Sequence, residues 1–95
     1  MKRTRYFVLR SLGDETVLVP CGKMAEEVSG VVTLSKTARF IYEKVETAAS
    51  FEEMQKLISE EYQVEPERIR TDLQQTLEFM KQNQILEEED KEKAW

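Results

Sequence analysis

Tyr62-Gln63-Val64-Glu65-Pro66 is the stretch on which the fold turns. Pro66 has no backbone donor and a fixed φ, so it fits the first position of a helix, where that donor has no partner anyway. Gln63-Val64-Glu65 is then a tight turn between two helices. Upstream of it, Phe51, Met54, Leu57, Ile58 and Tyr62 recur at helical spacing. Ser50-Phe51-Glu52-Glu53 opens that run as a capping box, Ser50 and Glu53 satisfying each other's orphan backbone donors. Downstream, Ile69, Leu73, Leu77 and Met80 line the next helix, which is predicted to stop near Asn83. Ile85 and Leu86 are expected to fold back onto the core. Two helices joined this tightly make a helix-turn-helix.

One more helix precedes them. Ser35 is a good N-cap, and Ala38, Ile41, Tyr42 and Val45 follow at helical spacing. Thr47-Ala48-Ala49 breaks it. The N-terminal third reads as strand instead: Tyr6–Leu9 and Thr16–Val19 are β-prone runs separated by Gly13-Asp14, a pair suited to a hairpin turn. Pro20 ends the second strand, Cys21–Glu27 is a loop with room for one helical turn, and Gly30–Leu34 reads as a third strand. The predicted fold is α+β, a winged helix-turn-helix of three short antiparallel strands followed by three helices. Residues 6–86 form the domain, residues 1–5 a basic N-terminal arm, and residues 87–95 an acidic tail expected to fray. Trp95, at its end, either docks on a neighbour or hangs loose.

Composition removes much of enzymology. The 95 residues suffice for one modest core and carry a formal charge of −5. No apolar run approaches the roughly 20 residues of a membrane span, and Tyr6–Leu9 is too short for a signal-peptide core. A single cysteine, Cys21, fits a reducing, cytoplasmic compartment. Without a histidine, the common Cys/His zinc sites and His-assisted triads cannot form. The glycines at positions 13, 22 and 30 make no phosphate loop. The reading is non-catalytic, with no cofactor and no metal.

Two features could bind a partner. On the last helix, Ile69, Leu73, Thr76, Leu77 and Met80 share one stripe, while Phe79 lies outside it with Arg68, Asp72 and Gln75. Phe79 either packs on a strand or on Ile85, or it lines a groove in which those polar groups orient a ligand. The third strand is the second feature. Its edge can take an added peptide strand through the backbone of Val31, Val32, Thr33 and Leu34, unless a flanking loop blunts it. DNA is the obvious rival ligand for a helix-turn-helix. Yet Glu65 to Asn83 sets Arg68, Arg70 and Lys81 against Glu65, Glu67, Asp72 and Glu78, a net of −1, where phosphates reward clustered cations. A structural domain whose edge is already paired, as in a homodimer, is the other alternative.

The order of short motifs resembles the PqqD-like proteins. Leu18-Val19-Pro20, Gly22 and Ser29–Ser35 resemble the family's first half, and Phe40-Ile41-Tyr42-Glu43 its aromatic-Ile-Trp-Glu run. Glu61–Val64, Ile69, Asp72-Leu73, Leu77, Met80 and the closing Ile85-Leu86 follow its second half, so the likeness runs from about residue 6 to 86. The chain departs from the pattern with Ser35 for Asn, Tyr42 for Trp, and Asn83 where Gly often ends the last helix. Ser still caps, Tyr still fills a core, and Asn tolerates the left-handed conformation. The resemblance implies a precursor-peptide recognition element. Such a domain binds the leader of a ribosomally made peptide as a strand beside the third strand, packed on the third helix. It then presents the peptide to a maturation enzyme, often a radical-SAM protein. The implied contacts are the backbone of Val31, Val32, Thr33 and Leu34 on one side, and Arg68, Asp72, Gln75, Thr76 and Phe79 on the other. No nucleic acid and no membrane is implied, and the chain is expected to be a monomer or a weak homodimer.

Overall fold

Gly13, at φ 63°, supplies the left-handed turn that joins β2 (Phe7–Leu12) to β3 (Glu15–Pro20). The computed structural model of the chain describes residues 1–88 and Trp95. β3 pairs on its other side with β4 (Val32–Leu34), giving an antiparallel sheet in the order β2-β3-β4. The register sets Val17 opposite Thr33 and Leu18 opposite Val32. Between β3 and β4 the expected helical turn is α1 (Met24–Glu27), which buries Met24. The third strand starts at Val32 rather than Gly30, because Gly30 sits at φ 88° and turns the chain before the ladder begins.

The helices α2 (Lys36–Lys44), α3 (Phe51–Tyr62) and α4 (Pro66–Gln82) then follow. Ser35 caps α2 by accepting from the Ala38 N–H, and Ser50 caps α3 by accepting from the Glu53 N–H. The return bond of the capping box falls one residue early: the Glu53 carboxylate accepts from the Ala49 N–H at 3.2 Å. Gln63, at φ 52°, closes α3 in the left-handed conformation, and Pro66 opens α4 at its first turn. Gln55, buried although polar, donates from Nε2 to the Pro66 carbonyl at 2.7 Å and so fixes the start of α4 against α3. A buried amide is retained only where such a partner exists.

The core lies between the sheet and the helices. Leu18 and Leu34 enter it from the sheet, Ile41 and Val45 from α2, Met54 and Ile58 from α3, and Leu73, Leu77 and Met80 from α4. Ile85 and Leu86 do fold back, fully buried. The left-handed residue after α4 is Gln84, at φ 58°, one position beyond Asn83, which ends the helix at φ −98°.

The N-terminus differs from a free basic arm. Lys2–Arg3 forms β1, which pairs antiparallel with β5 (Leu86–Glu87), while Met1 and Thr4 are buried. Thr4 donates its hydroxyl to the Gln84 carbonyl at 2.6 Å and its N–H to the Ile85 carbonyl at 2.9 Å. Glu87 pairs with Lys2 at 3.3 Å, so the tail begins inside the fold; the fraying expected further on concerns residues 89–94, which lie outside the described residues. Trp95 is half-buried against the core and shares a cleft with Met1, Phe51 and Leu77.

Arg3 completes this clasp. Its guanidinium and its main-chain N–H both donate to the Glu46 carboxylate, at 2.9 and 3.0 Å. Those two bonds hold the Glu46 carboxyl below the usual carboxylate range. A depressed carboxyl stabilises the fold above its unfolded pKa, roughly 4.3, and that contribution disappears as pH falls through the folded value. Both side chains remain more than a third exposed, so the pair contributes at most about 1 kcal/mol. Glu46→Gln is therefore expected to lower stability to urea by less than about 1 kcal/mol at neutral pH. The difference from wild type should vanish in the acid range, and a gap that persists there would mean that packing, not charge, sets the effect.

Candidate functional site

β4 is short and has only one neighbour in the sheet, so its outer main-chain groups face away from β3 without a strand partner among the described residues. Opposite that edge runs α4. Helical geometry puts Asp72, Gln75 and Phe79 in one column beside the buried stripe of Leu73, Leu77 and Met80. Between edge and helix lies an open groove of about 720 Å³.

Each wall has a distinct source. β4 contributes Thr33 and Leu34, and the first turn of α2 adds Ser35, Thr37 and Ala38. Ile41, Ile58, Leu73 and Met80 form the floor, all of them core residues whose outer surface meets the groove. α4 supplies the far wall through Asp72, Gln75, Thr76 and Phe79. Phe79 is 48% exposed, a large aromatic on the flank it shares with the exposed Asp72 and Gln75, beside the buried stripe. The ring lines the groove.

Tyr62, Val64 and Ile69 also line the groove. Tyr62 donates its hydroxyl to the Lys36 carbonyl at 3.3 Å and meets Phe40 edge-on, with ring centroids 5.9 Å apart. These contacts tie the end of α3 to α2 beside the groove.

Six of the expected binding residues thus come together here: Thr33, Leu34, Asp72, Gln75, Thr76 and Phe79. Three do not line the groove. Val32 is half-buried against the core, Val31 is exposed ahead of the strand, and Arg68 is exposed one turn before Asp72. Tyr62, Val64 and the α2 residues were missed, although Tyr62, as the last member of the α3 stripe, sits beside the turn and signals its place. Asp72 is the single Asp, Glu, Lys or Arg among the described residues that line the groove.

The fold is shared with a solved structure of TbiB1 in complex with the TbiA(beta) leader peptide. The two superpose with a TM-score of 0.71 at 23% sequence identity, over 95% of this chain and 99% of that one. No curated protein matches the sequence. The profile of the family described as Coenzyme PQQ synthesis protein D (PqqD) matches residues 15–86, from β3 through the start of β5. With most of its length so matched, the chain belongs to the PqqD family.

Proposed function

We propose that this protein is a non-catalytic adaptor that takes the leader segment of a ribosomally made precursor peptide as an added strand on β4. The observation that carries this reading is the groove itself, an unpaired strand edge facing an exposed aromatic across an apolar floor. Strand addition lets backbone bonds provide sequence-tolerant attraction while side-chain pockets provide selectivity. From Ile69 to Phe79 the α4 wall runs about 15 Å at helical rise, the length of about five extended residues. The likeness to TbiB1, held with a leader peptide, supports the same use of the same fold. With no histidine in the chain and a single carboxylate on the groove wall, the site holds a ligand without an acid–base pair to transform it. Chemistry would then fall to a modifying enzyme, of which a radical-SAM protein is the leading type, in the cytoplasm and with the adaptor a monomer or weak homodimer.

A titration of isotope-labelled protein with candidate leader peptides, followed by amide-resolved NMR, tests this directly. Shifts are expected at Val32–Leu34 and along Asp72–Phe79 with a leader, and none with duplex DNA. Shifts along α4 induced by DNA would overturn the adaptor reading in favour of a regulator.

A further inference from the structure

We propose that Asp72 makes the groove select leaders carrying a lysine or arginine within the bound stretch. The inference rests on the adaptor reading and names the chemistry of its ligand. No other described groove-lining residue is Asp, Glu, Lys or Arg, so this carboxylate is the one charged side chain among them. Asp72 forms no ion pair among the described residues, and Arg68, one helical turn away, forms none with it.

In the free protein water solvates Asp72. A peptide laid between β4 and α4 displaces part of that water, and a carboxylate that loses solvent without gaining a partner carries a penalty. An apolar or acidic residue opposite Asp72 is therefore disfavoured, whereas a Lys or Arg returns a charge-assisted hydrogen bond. Gln75 and Thr76, one turn on, are neutral and accept or donate to whatever backbone passes. Selectivity for charge is thus concentrated at one position. Asp72 and Phe79 are about 10 Å apart along the helix, roughly three extended residues. The basic residue is accordingly expected within a few positions of the apolar residue seated on Phe79.

The test uses a random fifteen-residue peptide library displayed on its own encoding RNA, selected in parallel on the full chain and on Asp72→Lys. Asp72 is exposed on α4, so the variant should fold as the parent does. Lys or Arg should be enriched at one position of the motif recovered with wild type, and Asp or Glu at the same position with Asp72→Lys. A wild-type-selected peptide should bind Asp72→Lys on the order of tenfold more weakly, with recovery when its basic residue is changed to Glu. Arg68→Ala should leave the preference unchanged. If both selections return one uncharged motif that shifts the groove amides, Asp72 does not select and the adaptor reading stands. If no peptide is recovered, or those recovered shift amides elsewhere, the groove reading fails and this inference with it.

Discussion

Phe79→Ala is expected to weaken leader binding by roughly three- to tenfold while leaving the fold intact. The ring is 48% exposed in the free protein, so about half of what it can gain from burial is still ungained. Fully burying a large apolar side chain yields about 1.5–3 kcal/mol, so covering the remaining half is worth about 0.7–1.5 kcal/mol, and each 1.4 kcal/mol is about a decade in affinity. The same exposure makes the substitution cheap for folding, where surface changes usually stay within about 0.5 kcal/mol. The Phe79 carbonyl, which accepts from the Asn83 side chain and N–H at the helix end, is main chain and survives the change. Calorimetric titration with a leader peptide, alongside a thermal melt, separates the two effects. Leu12→Ala is the control: Leu12 is 57% exposed at the hairpin tip, well away from the groove lining, and its loss should not alter affinity. Unchanged binding by Phe79→Ala, with an unchanged melt, would remove α4 from the site.

How far the sequence announces this site depends on how many elements build each part. Pro66, Ser35 and Ser50 act locally, through a missing donor or a side-chain oxygen, and the helix boundaries they imply are those observed. The column Asp72–Gln75–Phe79 is equally local, because helical periodicity alone sets it apart from the core stripe. The clasp of β1 and β5 has no such signature. Two-residue strands are too short for any period, and the partners of Lys2, Arg3 and Thr4 lie eighty or more positions away. Gln55 is hidden for a related reason. Its burial is permitted by the Pro66 carbonyl, a partner that exists only once the turn has formed. The near wall of the groove, from Thr33 to Ala38 with Tyr62 and Val64, joins a strand end, a helix start and a turn. None of these segments has a periodicity that points toward the others. Arg68 shows the converse error: it shares the flank of Asp72 by angle but does not line the groove.

Proline substitution in β4 tests the strand-addition mechanism itself. Successive residues of a strand direct their main-chain groups to opposite sides. Of Val32→Pro and Thr33→Pro, one therefore removes a donor from the β3 ladder and the other from the open edge. The first should lower stability by about 1–3 kcal/mol, since it leaves a β3 carbonyl unpaired. The second should leave the melt nearly unchanged and weaken leader binding by about 1–3 kcal/mol, roughly five- to a hundredfold, because a peptide carbonyl enters the groove without its partner. Thermal melts rank the pair, and calorimetry on the stable member gives the answer. This result is independent of Phe79, whose contribution is side-chain burial. If the stable proline variant binds as wild type does while Phe79→Ala does not, the leader lies in the groove without joining the sheet. Recognition would then rest on α4 and the apolar floor alone. Loss in both variants requires the peptide to touch edge and helix together, the arrangement that a short β4 with one free side and a facing half-exposed ring makes available.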